Sequence, residues 1–299
     1  MYFISEVFSS YDRRPFNVKT FRLPTKNSDE SIILNNLVKT LLDSGIALVD
    51  CTDPMDPQKS LWTPETASRK FQHFIKKFAA DLDGHNDNEK NEFVWDVTPK
   101  PSHEAIEKAH FVTPLSHSDG EFNMHTDGVY RTDPPRYFAL YCVNSDKMGG
   151  GQSKLVHGDT LVRKLYQMTG GKEILHHLQS PSWDVKVPKE SMKNETDNRV
   201  LNKQMLKNVT VENYPFYNHL WSFRQEIMIP ASREQEQILN TIAELLESPS
   251  NQITGTLPDG FLLIMDNARW FHGREKILDK DRHLKRIRFN DFQEKYKGY

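Results

Sequence analysis

Two short stretches set far apart constrain this chain most: Asn123-Met124-His125-Thr126-Asp127-Gly128 and Asn267-Ala268-Arg269-Trp270-Phe271-His272. A His-x-Asp pair followed by one distant His is the ligand set of the 2-His-1-carboxylate facial triad. In that arrangement three protein groups hold one face of an octahedral Fe(II) and leave the other face open. A chain that uses these residues together must fold back so that the two stretches meet. A His-x-Asp tripeptide alone is common by chance, so the weight lies in what surrounds it. After His272 come Gly273-Arg274 and then Arg282-His283-Leu284-Lys285-Arg286, arginines of the kind an anionic co-substrate such as 2-oxoglutarate needs.

A rival pair stands just upstream, His117-Ser118-Asp119-Gly120. In an extended segment residues i and i+2 point to the same face, so either pair can present an imidazole and a carboxylate to one ion. Context separates them. Asp127 leads through Pro134-Pro135 into the apolar run Tyr137–Val143, a rigid wall beside a site. Asp119 leads only into polar chain and reads as a solvent-exposed turn. His272 follows the apolar run Phe261–Met265 after a short turn, whereas the competing third ligands His219 and His283 do not. For most of the 12 histidines an ordinary core or surface place is the better reading.

The rest of the chain reads as one large domain. Its 299 residues are long for one domain and short for two. The aromatic supply, 17 Phe, 10 Tyr and 5 Trp, is enough for a core. Leu34, Leu37, Val38, Leu41 and Leu42 fall at helical spacing and predict a helix over Ser31–Leu42. Gly45 is a stop signal, and Ile46-Ala47-Leu48-Val49 reads as a buried strand. Thr63-Pro64-Glu65 opens a second helix with the stripe Phe71, Phe74, Ile75, Phe78 and Leu82. Gly84–Asn91 reads as a loop. Tyr137–Val143, Trp221–Ile229, Phe261–Met265 and Leu284–Phe289 are strand candidates, and Glu234–Leu246 is a further helix. Residues 186–213 are polar and aperiodic, the character of a lid over a site or of a disordered insertion, and the lid is the preferred reading.

A net charge of −2 gives no reason to expect a nucleic-acid partner. No apolar span approaches bilayer length and the start carries no secretory pattern, so a cytoplasmic, soluble protein is expected, with a small molecule as partner. Cys51 and Cys142 lie in or at the end of apolar strand-like runs and read as buried thiols. The arginines after residue 281 leave two readings open. If 282–288 is extended, Arg282, Leu284, Arg286 and Arg288 share one face while Ile287 and Phe289 take the other. That face is either a solvated edge, or a pocket wall whose guanidiniums hold carboxylates bidentately.

At this point the chain resembles a known family. Met124-His125-Thr126-Asp127-Gly128, Gly150-Gly151-Gln152-Ser153, Ile264-Met265-Asp266-Asn267, His272-Gly273-Arg274 and Arg282-His283-Leu284-Lys285-Arg286 look like the motifs of the TauD/TfdA group of Fe(II)- and 2-oxoglutarate-dependent oxygenases, including its clavaminate synthase-like and carbapenem synthase-like members. Their order and rough spacing match over residues 112–290, and residues 30–82 fit a helix–strand–helix lead-in loosely. The resemblance implies an α+β fold with a mainly β core. It would be a double-stranded β-helix (a cupin-like jelly roll) with buttressing helices and a lid insertion. By position, His125, Asp127 and His272 would be the iron ligands. Arg282 would bind the far carboxylate of 2-oxoglutarate. Ser153 would assist where the family usually has a threonine, and Arg286 would meet the near carboxylate or an anionic substrate. Glu121, Asn123 and Arg274 are further substrate-binding candidates.

The implied cofactors are Fe(II), 2-oxoglutarate as co-substrate, and O₂. The implied reaction couples decarboxylation of 2-oxoglutarate to succinate and CO₂ with oxidation of a small, amino-acid-derived metabolite by hydroxylation, desaturation or cyclisation. Relatives that halogenate carry a small residue in place of Asp127, so its carboxylate argues against that outcome. Two rivals are kept: a zinc hydrolase with the same ligands, which would have no use for Arg282 and Ser153, and a non-catalytic binding protein on the same fold.

Overall fold

The computed structural model describes residues 16–23, 30–83, 93–99, 118–188, 191–192, 199–208 and 219–296. The first half comprises β1 (Thr20–Arg22), α1 (Glu30–Ser44), β2 (Ile46–Asp50), β3 (Thr52–Asp53), β4 (Asp56–Ser60), α2 (Pro64–Ile75), β5 (Ala79–Leu82), β6 (Trp95–Val97), β7 (Phe122–His125) and β8 (Tyr137–Asn144). Next come β9 (Ser153–His157), α3 (Gly158–Gln167), α4 (Gly171–Gln179), β10 (Trp183–Lys186), β11 (Val200–Lys203), β12 (Leu206–Asn208), β13 (His219–Trp221) and β14 (Met228–Ile229). The chain ends with α5 (Arg233–Glu247), β15 (Ile253–Gly255), β16 (Phe261–Asp266), β17 (Trp270–Arg274) and β18 (His283–Phe292). The fold is thus mixed and mostly strand, as the sequence led us to expect.

Two sheets position the site. The larger has the order β1-β2-β16-β8-β18-β5, with β6 also paired to β18, and the smaller has the order β15-β9-β17-β7. Alternation along each strand sends side chains to opposite faces. Ala47, Val49, Ile264, Ile287 and Phe289 leave the larger sheet on the side where Leu37, Val38, Leu41, Phe71 and Phe74 of α1 and α2 pack. Val156 and Phe271 leave the smaller sheet on its far side, among Leu161, Leu165, Ile238 and Ile242 of α3 and α5. Between the sheets lie Leu48, Phe138, Leu263, Met265 and Leu284 from one and Leu155 and Trp270 from the other. Each sheet therefore has a helix-covered face and a face turned to the other sheet.

The join between α1 and β17 also places the site. Gly45 has φ +73°, the left-handed turn that ends α1 without a Cβ penalty. The last carbonyls of a helix have no partner within it. Here Arg269 donates to Leu42 O at 2.8 Å and to Asp43 O at 2.6 Å, and the Trp270 indole donates to Ser44 O at 2.8 Å. The turn just before His272 is thereby fixed to the end of the first helix.

Most sequence expectations hold within a residue or two, including the two buried, unpaired thiols. Several do not. α2 stops at Ile75, and Leu82 belongs to a strand paired with β18 rather than to the helix stripe. Trp221–Ile229 is broken, because Phe223 is drawn out of strand pairing by two-way bonds to Thr126. Within 186–213 the described residues include β11 and β12, held by the wholly buried Met205 and Leu206. The helices over 158–179 were not foreseen, although Leu161, Val162 and Leu165 carry helical spacing. The loop expected over 84–91 and the histidine of the rival pair, His117, lie outside the described residues. No described helix is long and apolar enough to cross a membrane.

Candidate metal centre

His272 and His125 are direct partners across β17 and β7. Their ring centroids stand 4.4 Å apart. The register then slips: Arg274 pairs with Phe122, so β7 carries one extra residue opposite β17. Such a bulge re-aims side chains beside active sites. It turns Phe122 onto the same side as His125, where the two rings stack at 3.9 Å. Phe138 of the facing sheet packs on His272 at 4.7 Å.

Asp127 arrives by another route than strand alternation, because β7 ends at His125. Its backbone is clamped by Asn267, whose Oδ1 accepts from the Asp127 N–H at 2.6 Å while Nδ2 donates to Asp127 O at 3.0 Å and Pro135 O at 2.9 Å. Asn267 is buried directly after the last residue of β16, so the loop carrying Asp127 is tied to the larger sheet. An Asn267→Ala variant leaves these buried backbone groups without a partner. It is expected to lose on the order of 2–4 kcal/mol of stability, read by urea denaturation; a loss below about 0.5 kcal/mol would show that the clamp is dispensable.

One ligand atom from each of His125, Asp127 and His272 lies within 4.8 Å of the others. Asp127 Oδ1 is 3.4 Å from His125 Nε2 and 3.7 Å from His272 Nε2. His125 Nδ1 bonds Asn123 O at 2.8 Å, which puts the proton there and leaves the Nε2 lone pair facing the other two groups. His125 Nε2 is buried without a hydrogen-bond partner. An orphaned buried acceptor beside a carboxylate and a second imidazole is what a divalent cation satisfies, so these residues fit Fe(II). Burial, and then His125, push the His272 imidazole down to about 4, keeping it neutral at ordinary pH. Burial alone would raise the Asp127 carboxyl; Arg288, the two imidazoles and Arg286 outweigh it and hold it well below the usual carboxylate range.

The arginines come from the facing sheet. As the alternation predicts, Ile287 and Phe289 enter the helix-side core, while Leu284 lies between the sheets. Arg286 reaches within 3.6 Å of Asp127 Oδ2 and Arg288 donates to that oxygen at 2.6 Å. Both guanidiniums lie over Trp95, at 4.7 and 4.8 Å from its ring. Burial and the adjacent Arg288 push Arg286 down to about 9. Arg282 lines a small cavity with Ser153, Thr256, Leu284 and Asp146. It has no ion pair with any described carboxylate, and burial lowers its pKa. Ser153 pairs with Arg274, and Leu155, two residues on, pairs with His272. The cavity therefore opens roughly 7 Å along the strand from His272.

The remaining candidates are placed elsewhere. Glu121 is bonded to Lys154 at 2.6 Å and Asn123 to Glu226 at 2.9 Å, both exposed contacts. Arg274 donates to the carbonyls of Gly120 and Ser118 and is pushed down to about 10 by burial and by Arg282. Asp119, of the rival pair, meets Ile277 through its backbone carbonyl. Sequence reasoning did not assign roles to Arg288, Asn267 or Trp95. For Arg288 the signal was present in the shared face with Arg286.

A buried His125 and the half-buried Asp127 and His272, with guanidiniums around them, form a His-Asp-His group that could hold one metal ion. The sequence matches the family described as "Taurine catabolism dioxygenase TauD, TfdA family" over residues 10–288, and the chain belongs to that family. It is a family of oxidoreductases that use Fe(II), 2-oxoglutarate and O₂. Compared by sequence with curated proteins, the chain matches none. Among solved structures it is similar to asparagine oxygenase in complex with Fe(II), 2S,3S-3-hydroxyasparagine and succinate, at TM-score 0.62 and 15% identity, covering 91% of this chain and 93% of that one. It is also similar to the non-heme iron oxygenase OrfP in complex with Fe and alpha-ketoglutaric acid, at TM-score 0.62 and 13% identity, covering 91% and 94%. At such identities the likeness speaks for the fold.

Proposed function

We propose that this protein oxidises a small, anionic, amino-acid-like metabolite at an Fe(II) centre held by His125, Asp127 and His272, with 2-oxoglutarate anchored by Arg282 and Ser153. The observation that carries the substrate class is Arg286. It is buried beside Asp127, its Nε has no hydrogen-bond partner, and a second guanidinium lies next to it. One buried and one half-buried guanidinium against one carboxylate leave positive charge that an anionic group relieves. Hydroxyasparagine and hydroxyarginine, named in complexes of those two proteins, are amino-acid derivatives bearing a carboxylate, which accords with the amino-acid part of this class. The two facing sheets, each with a helix-covered outer face, support the jelly-roll reading. The lid reading of residues 186–213 rests on their polar, aperiodic sequence; within it the described residues include β11 and β12, and residues 189–190, 193–198 and 209–213 lie outside the described residues.

When bound, the iron and 2-oxoglutarate supply the oxidising chemistry. The chain's residues do the rest. His125 offers its Nε2, His272 offers a neutral imidazole, and Asp127 offers a carboxylate kept ionised chiefly by Arg288. Phe122 and Phe138 pack on the two rings and keep water from the ligands' rear. Arg282 presents its fork to a carboxylate one co-substrate length from the metal, with the Ser153 hydroxyl as a second donor.

Substrate-dependent succinate release, measured for amino acids and small carboxylates and for their neutral amides, tests the reading. We expect acids to be turned over roughly 10–100-fold better than their amides, the worth of one charge-assisted bond. Arg286→Gln should erase that preference. Equal turnover of acid and amide by the wild-type protein would sink the anionic-substrate assignment.

A further inference from the structure

The two oxygens of Asp127 are used differently. Oδ1 is the atom facing both imidazoles, at 3.4 and 3.7 Å. Oδ2 points the other way and is taken by Arg288 at 2.6 Å, with Arg286 further off at 3.6 Å. Arg288 is itself held. Its strand position is fixed by pairing with Phe138 on β8, and its guanidinium lies 4.8 Å over the Trp95 ring. Its carbonyl accepts from the Asp83 N–H at 2.9 Å. The arginine is thus anchored on the larger sheet, while Asp127 is anchored through Asn267 to the end of β16 in that same sheet.

We propose that Arg288 is a positioning residue for the carboxylate ligand: by occupying Asp127 Oδ2 it makes Asp127 a single-oxygen donor. The inference rests on the reading of His125, Asp127 and His272 as the metal ligands. A carboxylate free to rotate can bind a cation through both oxygens, as many sites for hard cations do. Here a second carboxylate oxygen would take a position that the facial triad leaves open. The Arg288 hydrogen bond, charge-assisted and short, opposes that rotation. It also withdraws charge from the carboxylate, so the ligand is a weaker donor than a free one. Lysine at this position can keep the charge but lacks the planar fork that stacks on Trp95 while reaching Oδ2.

The test uses Co(II) alone as the probe, added to the apo form of the full chain, with the wild type, Arg288→Gln and Arg288→Lys compared. Outer partners of metal ligands are typically worth 10–100-fold in affinity. Arg288→Gln is expected to change the Co(II) dissociation constant by about that factor and to alter the visible Co(II) absorption, which follows coordination number. Arg288→Lys should restore the affinity in part and leave the spectrum altered. A Trp95→Phe variant keeps a ring under the guanidinium and should keep the wild-type spectrum. Circular dichroism of the variants confirms that they are folded; a variant that fails to fold is replaced by Arg288→Met, close in length and apolar. If folded Arg288 variants bind Co(II) within twofold of wild type and with its spectrum, the proposal is overturned. If the wild type itself binds no Co(II), the metal assignment fails instead, and the two failures are distinct.

Discussion

A His125→Ala variant is expected to lose measurable Fe(II) binding and, with it, 2-oxoglutarate turnover. The geometry makes this ligand costly to remove. His125 is 2% exposed, its Nδ1 is committed to Asn123 O, and its Nε2 faces Asp127 Oδ1 and the partner histidine on β17. No other described histidine is placed to substitute: His219 bonds Asp159 at 3.0 Å and His283 bonds Asp96. Removing one of three protein ligands from a site that keeps open positions leaves a bidentate remnant, which cannot hold a labile divalent ion at ordinary concentrations. Anaerobic Fe(II) titration followed by succinate release reads both effects. The rival His117 supplies the control, since His117→Ala should bind iron as the wild type does. Iron retained in His125→Ala and lost in His117→Ala would reverse the assignment.

How much of this site could be read from the chain differs from one contact to the next. The arginine face was legible because alternation is a local rule: once 282–288 is extended, Ile287 and Phe289 must go one way and Leu284, Arg286 and Arg288 the other. The meeting of His125 with Asp127 was also anticipated, but for the wrong reason. Strand alternation does not place Asp127, since β7 stops at His125; Asn267, far along the chain, does. The bulge that brings Phe122 onto His125 is set by pairing with β17, and nothing in Phe122-Asn123-Met124 announces it. Likewise the polar look of 186–213 hid β11 and β12, because short strands buried by only Met205, Leu206 and a few neighbours carry too little periodicity to stand out. Local pattern thus gave the faces, and non-local pairing decided which faces met.

The same distinction shapes what is expected of Arg282→Leu, the variant that should most disturb the co-substrate. Arg282 precedes β18 rather than lying in it, and a register shift in the β18–β8 pairing between His283 and Leu284 marks the entry. Its guanidinium reaches the cavity that also contains Ser153 and Asp146. The loop before it is held by Asp146, which accepts from Leu278 N at 2.8 Å and Asp279 N at 3.2 Å. Arg274, the nearby cation, already spends its donors on Gly120 and Ser118. Arg282 is therefore the guanidinium available to a carboxylate. Two charge-assisted bonds from one fork are worth roughly 3–4 kcal/mol, so the KM for 2-oxoglutarate should rise by about 100–1000-fold in Arg282→Leu. The KM for the prime substrate should move far less, since the structure sets Arg286, not Arg282, beside Asp127. Arg282→Lys should recover little, because an ammonium cannot reproduce the fork. Ser153→Ala, which removes one neutral donor, should raise the same KM only about tenfold. Steady-state kinetics with each substrate varied in turn separates the two constants, and an unchanged 2-oxoglutarate KM in Arg282→Leu would remove Arg282 from the co-substrate site.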